Sequence, residues 1–328
     1  MRHLASNLVS LLVVTLVVLA GVLAWGRFEF YRKGPLDTSL EFVIARGETL
    51  GPISERLEAR GAISSAAIFR IGVRSLDRET DFKYGEYELQ AGSSMDAVLD
   101  ALTSGHGIIH WVTIPEGFTV AQVIARLMET DQLEGEATDI PLEGTLAPET
   151  YAISRGESRQ SVIDRMKEAQ DAILEEAWSN RKTDLPLESP SEVLILASIV
   201  EKETGVGSER AEVAAVFANR LRRGWPLQSD PTVVYGLTLG QDILGRGLTR
   251  SELDKETPYN TYLIRGLPPT PIANPGRAAI EATVQPNDSG NMYFVADGSG
   301  GHVFAETLDQ HNRNVAKWRR IEQENGNR

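Results

Sequence analysis

Ser191-Glu-Val-Leu-Ile-Leu-Ala-Ser-Ile-Val-Glu-Lys-Glu-Thr204 holds a run, Val193 to Val200, that is apolar except for Ser198, and it closes on two acids, Glu201 and Glu203. A helix apolar on every side belongs in an interior. Ser191, after Pro190, is the expected N-cap, and Gly205 the expected stop. The stretch therefore predicts a buried helix that brings a carboxylate from the middle of a core to its edge. Burial raises a carboxyl pKa, which is how proteins make a general acid that works near neutral pH. The plainer reading is that the two acids mark where the helix surfaces. Spacing does not choose between them, because each has an apolar residue one turn back, Ala197 and Ile199.

The surrounding chain has 328 residues, enough for two or three folded units. Apolar residues make up 41% and charged residues 24%, a globular composition that argues against long disorder. The net charge of −13 argues against nucleic acid as a partner. There is no cysteine, which excludes a disulfide scaffold, a thiolate metal site, a cysteine nucleophile and a lipid anchor on cysteine.

Leu8 to Trp25, LVSLLVVTLVVLAGVLAW, carries no charge. At about 1.5 Å per residue it spans roughly 27 Å, close to the thickness of a bilayer's hydrocarbon core. A cleaved leader has a shorter apolar region, and Ala20 to Ala24 offers only a weak cleavage site, so a retained anchor is expected. Arg2 lies on one flank and Arg27, Arg32 and Lys33 on the other, so the basic residues do not fix an orientation. The simplest arrangement has a cytoplasmic tail at 1–7, a single span at 8–25, a tether at 26–39 and everything beyond exported.

A loose repeat follows. Ile44, Gly47, Thr49, Ile53 and Leu57 recur as Leu89, Gly92, Ser94, Val98 and Leu102, and again as Ile114, Gly117, Thr119, Val123 and Leu127. The pattern predicts a strand end, a glycine turn, a hydroxyl N-cap and a helix whose i, i+4 stripe packs back on the strand. Phe82 to Leu89 and Ile108 to Ile114 alternate as strands do. The region from about Leu40 to Thr130 thus predicts a small α+β unit. Its first β-α pair, Phe42 to Ile63, resembles a LysM-type glycan-binding module, although a packing scaffold would give the same pattern. Thr130 to Gly144 reads as a loop. Ser158 to Arg181 and Ser208 to Arg223 read as helices, and Arg220, Arg222 and Arg223 suit the C-terminal dipole of the second.

No metal site, P-loop, dinucleotide fingerprint or nucleophile elbow is present in the sequence, and no cofactor is implied; His106 and His110, at i and i+4, sit at a strand entry. Carboxylates, hydroxyls and aromatics remain, the set used on carbohydrates. Gln228-Ser-Asp230-Pro-Thr232-Val-Val-Tyr235 and Tyr259-Asn260-Thr-Tyr262 concentrate them, offering ring faces and amides to sugars. Each segment would also serve as an ordinary turn or core packing.

Together these motifs resemble the MltG/YceG-like endolytic murein transglycosylases. The resemblance rests on Leu196-Ala-Ser-Ile-Val-Glu201-Lys-Glu203-Thr204, Asn219-Arg-Leu221, Leu227-Gln-Ser-Asp230-Pro-Thr232, Tyr235-Gly236, Tyr259-Asn-Thr-Tyr262, Gly266-Leu-Pro-Pro269, Asn274-Pro-Gly276, Tyr293-Phe-Val-Ala296 and Gly301-His302. Upstream, Leu142-Glu-Gly144 and Pro148-Glu149-Thr150-Tyr151 fit as well. Thr270, Glu149, Ala147 and Trp225-Pro226 depart from the usual residues and touch turns or groove lining.

The resemblance implies an α+β protein: a transmembrane helix, a LysM-like β-α domain at 40–107 and a mixed α/β catalytic domain at 108–328. It selects Glu201 as the single acid/base, with Gln228, Asp230, Thr232, Tyr235, Tyr259, Asn260, Tyr262 and Glu149 around the substrate. The implied substrate is peptidoglycan, cut between N-acetylmuramic acid and N-acetylglucosamine to leave 1,6-anhydromuramoyl ends. Ordinary glycosidases use paired carboxylates, and here the sugar's own C6 hydroxyl replaces the second. The implied place is the inner membrane, with the catalytic part outside the cytoplasm and beside cell-wall synthases. A muramidase using Glu201 with Asp230 or Glu149, and a non-catalytic glycan-binding scaffold, are the rival readings.

Overall fold

Eighteen uncharged residues at the start give the chain its longest element. The computed structural model describes residues 2–326; Met1, at the head of the expected tail, and 327–328 lie outside the described residues. Helix α1 (Arg2–Tyr31) includes an apolar stretch, Asn7–Tyr31, long enough to cross a bilayer and with none of its apolar window buried in protein. The expected tether does not begin at residue 26. The helix runs on to Tyr31, and Phe30 is buried among Phe69, Val73 and Leu99, its ring against Gly72. An aromatic placed one and a half turns past Trp25 continues the helix because it finds a core to enter.

The chain folds into two compact units. The first comprises residues 1–110, 132–134 and 152–157. Its order after α1 is β1 (Leu40–Ile44), α2 (Leu50–Ala59), α3 (Ala66–Ser75), β2 (Gly85–Leu89) and α4 (Met95–Thr103). β1 and β2 pair antiparallel, with Phe42 opposite Tyr87. β2 is shorter than the alternation from Phe82 suggests.

The second unit comprises residues 111–131, 135–151 and 158–328. Strand β3 (His110–Thr113) leads into it, followed by α5 (Val120–Met128). All three repeats form the expected glycine turn and following helix. Gly47, Gly92 and Gly117 take φ values of 76°, 73° and 74°, a left-handed turn that disfavours any side chain. Ser94 and Thr119 cap their helices through the hydroxyl, whereas Thr49 makes no such bond. The third repeat belongs to the second unit, so the expected single α+β block of Leu40 to Thr130 is divided.

Short strands β4 (Leu133–Glu134), β5 (Thr150–Ile153) and β6 (Glu157–Ser158) precede α6 (Arg159–Ser179). Then come α7 (Pro190–Glu203), α8 (Arg210–Arg222), α9 (Asp230–Thr238), α10 (Arg250–Leu253), α11 (Arg277–Val284), the antiparallel pair β7 (Tyr293–Ala296) and β8 (His302–Ala305), and α12 (Leu308–Gly326). α7 is the centre of this unit: Val193 through Val200 are buried without interruption, and α6, α8, α9 and α11 pack around them. Its N-cap is Ser189 rather than Ser191, with Pro190 in the first turn, where a preset φ and a missing N–H cost nothing. It ends at Glu203 by passing into extended backbone at Thr204, without a left-handed Gly205.

Ser198, the one hydroxyl in the run, donates to the Ile195 carbonyl at 2.7 Å and accepts from the Ile272 N–H at 3.0 Å. It thereby ties α7 to the segment ahead of α11. Ser198→Ala leaves that buried N–H without an acceptor and is expected to cost about 1–3 kcal/mol, read as a lowered midpoint in urea denaturation.

Candidate active site

A helix turns by about 100° per residue, so the last residues of α7 point in three directions. Glu201 faces α11 and α8. Its Oε2 accepts the N–H of Gly276, the N-cap of α11, at 3.0 Å, and its Oε1 lies 3.6 Å from Arg210 Nη2. The same Nη2 lies 3.2 Å from Glu116 Oε2. The Glu201 side chain is 6% exposed. Burial pushes its pKa above the usual carboxylate range; the Gly276 N–H opposes this, the charge of Glu116 adds to it, and Arg210 and Lys202 oppose it.

Glu116 reaches this place because it belongs to the glycine turn of the third repeat. Gly117 donates to the Asn274 carbonyl at 3.0 Å, and Asn274 donates back to Phe118 at 2.8 Å, which fixes the turn against the start of α11. A Cβ on Gly276 would overlap the Glu116 carboxylate, so the glycine there makes room for the acid.

Lys202 points elsewhere. Its Nζ donates to the Gly117 carbonyl at 3.2 Å, and its side chain lines a cavity of about 340 Å³ together with Thr119, Gln122, Asp230, Tyr235 and Ile272, with the 242–248 loop along one side. Glu201 is not among the lining residues. The cavity and the acid therefore occupy adjacent faces of one helix end.

Glu203 takes the third direction. Fully buried Ser229 donates its Oγ to Glu203 Oε1. Burial pushes the Glu203 pKa up to about 7; the Ser229 hydrogen bond opposes this, Asp230 adds to it, and His302 and Arg220 oppose it. Arg220 stands in the last turn of α8, as expected. It is buried and donates Nε to the Met292 carbonyl at 2.9 Å and Nη1 to the Leu227 carbonyl, stitching α8 to the chain on either side.

Of the residues expected around the substrate, Asp230 and Tyr235 line the cavity. Tyr262 donates to Asp230 Oδ1 at 2.6 Å. Tyr259 stands behind Tyr235 with the ring centroids 4.9 Å apart, and its hydroxyl is bonded to Thr270 at 2.9 Å. Thr232 and Asn260 have no exposed surface. Thr232 bonds to the Ser229 carbonyl, and Asn260 donates to the Leu253 and Lys255 carbonyls and accepts from the Tyr262 N–H. Both side chains are used within the loop. Gln228 is exposed with φ of 54°, outside the cavity lining. Glu149 is exposed; its carbonyl accepts from Ile114 and its charge acts on Tyr151 and Arg277, not on Glu201.

Glu143 was not singled out from sequence. It accepts the Val120 N–H at 2.9 Å and the Tyr235 hydroxyl at 3.3 Å, and burial raises its pKa. Its place between Leu142 and Gly144 in a matched motif was the available signal. Glu116 lies 85 residues before Glu201 and Arg210 nine residues after it, across the turn between α7 and α8, and no local pattern joins them.

An ionisable acid held between a second acid, an arginine and a backbone N–H, beside an open cavity, defines an acid–base site on a mixed α/β scaffold. The chain carrying it belongs to the YceG-like family, whose model matches residues 42–317. It is similar to an endolytic murein transglycosylase of Bacillus subtilis strain 168, 31% identical over 313 residues, which cover 86% of this chain and 85% of that protein. It is also similar to one of Streptococcus pneumoniae strain D39, 30% identical over 364 residues and 96% of this chain, and spans 65% of that longer protein. The crystal structure of a yceG-like protein from Listeria monocytogenes is similar with a TM-score of 0.52 and 29% identity, over 84% of this chain and 99% of that one.

Glu203 makes stability depend on pH. With a folded-state pKa of about 7, above the ordinary 4.5, the folded form holds the proton more tightly than the unfolded form. Its contribution is complete below pH 4.5 and is lost as pH rises through 7. Glu203→Gln keeps an acceptor for Ser229 and removes the ionisation. The variant's stability relative to wild type is expected to rise by about 1–3 kcal/mol between pH 5 and pH 8, measured by thermal unfolding in detergent.

Proposed function

We propose that the chain is a membrane-anchored endolytic lytic transglycosylase acting on peptidoglycan strands, with Glu201 as its only acid and base. The observation that carries the reading is the state of Glu201: a buried carboxyl with a raised pKa that also has a backbone N–H and a guanidinium in place for its anion. The names of the relatives from Bacillus and Streptococcus support the same substrate.

In the proposed reaction the Glu201 carboxyl gives its proton to the glycosidic oxygen between N-acetylmuramic acid and N-acetylglucosamine. The bond from that oxygen to the muramoyl anomeric carbon breaks, and the N-acetylglucosamine side leaves with a free hydroxyl. The muramoyl C6 oxygen then forms a bond to the anomeric carbon while its proton passes to the Glu201 carboxylate. The acid is restored, no water enters, and the new end is a 1,6-anhydro sugar. Gly276 N–H and Arg210 stabilise the carboxylate between the two transfers. Asp230, Tyr235 and Lys202 give the adjoining cavity polar groups and a ring face for a sugar or its substituents.

The helix at Leu8 to Trp25 serves as a single membrane span, with the short N-terminal tail inside and both units outside the cytoplasm. Placement at the membrane favours strands still being made, so cell-wall synthases are the expected neighbours. The β1-α2-α3-β2 order of the first unit supports a LysM-like role in holding glycan.

A hydrolytic muramidase would need a second free carboxylate about 5–9.5 Å from the first. Asp230 accepts from Tyr262, Glu149 acts on other residues, and Glu116, the acid that does stand beside Glu201, is paired with Arg210 rather than free, which favours the transglycosylase. Mass spectrometry of digested glycan strands separates the two, since water-added reducing ends would exclude the reaction above. Glu201→Gln preserves an acceptor for Gly276 and is expected to lower cleavage at least about a hundredfold with the melting temperature unchanged. Undiminished cleavage by that variant would make Glu201 structural and the mechanism above wrong.

A further inference from the structure

We propose that Glu116 and Arg210 are positioning residues for Glu201, one guanidinium divided between two carboxylates so that the catalytic carboxyl can hold its proton at rest and give it up in turnover. The inference rests on the assignment of Glu201 above and concerns how that one group meets two opposed demands. A lone carboxyl that first donates and then accepts must be neutral at the start and tolerated as an anion midway.

The geometry supplies both conditions. Arg210 Nη2 is 3.2 Å from Glu116 and 3.6 Å from Glu201, so at rest the cation is engaged more closely by Glu116. The two acids differ in access to water, with Glu116 43% exposed and Glu201 6%. When Glu201 loses its proton, the poorly hydrated anion has more to gain from the guanidinium, and Glu116 has water to replace it. A small movement of Arg210 therefore follows the proton.

Two further observations separate this arginine from a structural one. Arg220, ten residues on in the same helix, has Nε and Nη1 committed to backbone carbonyls. Arg210 Nε is buried and has no acceptor among the described residues. The absent Cβ of Gly276 leaves the space that the Glu116 carboxylate fills, so the second acid is held where its charge acts on the first. The groups acting on Glu201 are Glu116 from the turn after β3, Arg210 from α8, Lys202 from its own helix and the Gly276 N–H at the start of α11.

The test is the pH dependence of strand cleavage by the full-length chain in detergent micelles, counting 1,6-anhydro ends. The basic limb reports loss of the acid's proton. Glu116→Gln removes a like charge and frees Arg210 for Glu201, so the limb is expected to move about 0.5–1.5 units toward acid. Arg210→Gln is expected to move it by a similar amount toward alkali and to lower maximal turnover at least about tenfold, because the anion loses its partner. Arg210→Lys, which keeps the charge, should return the limb most of the way.

A limb that stays in place in Glu116→Gln, or moves in the same direction in both variants, overturns the proposal. So does loss of activity at every pH in a folded Glu116→Gln protein, which would make Glu116 a reacting group. Glu116 is exposed enough for its variant to fold even if Arg210→Gln does not, so the first measurement alone is decisive. Wild-type activity in Glu201→Gln would instead remove the assignment underneath, a result distinct from any of these.

Discussion

The burial of α7 on every face constrains the whole second unit. Four helices must close around it, and each polar group it carries must be answered within the core or released at its end. Ser198 is answered by Ile195 and Ile272. The carboxylates cannot be answered in the middle of such a helix, so they come in its last turn, where the neighbouring elements also end. The start of α11, the start of α8 and the turn after β3 supply a backbone N–H, an arginine and a second acid around Glu201. The helix places three consecutive polar side chains in separate environments, and only geometry makes them different.

That difference bears on which acid does chemistry. Glu203 has the more strongly raised pKa, about 7, yet its partner is a fully buried serine and the surrounding Arg220 is committed to carbonyls. A perturbed acid in a closed setting is a cost of construction. The Glu201 pKa is raised too, and its partners are a backbone N–H and an arginine shared with Glu116. Magnitude alone would point to Glu203, whereas the proposed role of Glu201 rests on the partners arranged around it.

The helix at Pro190 to Glu203 was legible from its run of apolar residues, as were the three turn-and-helix repeats from their glycines and hydroxyls. These are local signals, and local rules decide them. The extent of α1 was not legible, because Phe30 becomes helical by finding Phe69 and Val73, distant in the chain. Thr232 and Asn260 looked like ligand-binding groups because their residue types suit sugars, and type does not reveal that both are consumed inside the loop. Glu116 carries no local signal that links it to Glu201, and only the fold brings it there, across 85 residues, through contacts of Asn274 with Gly117 and Phe118. Arg220 stands in the last turn of α8 as its sequence position suggests, but its enclosure was not legible, because the carbonyls that hold it, those of Leu227 and Met292, are brought there by the fold.

The continuity of α1 into the first unit has a mechanical consequence. Phe30 anchors α1 within the core that follows, so in the proposed membrane-anchored arrangement no slack chain would separate the span from the unit it carries. A helix accommodates a bilayer thicker or thinner than its apolar length partly by changing its tilt. With Phe30 held, the first unit must lean with the helix. In that arrangement lipid composition would act as a lever on the orientation of the unit, a coupling that a flexible leash would erase.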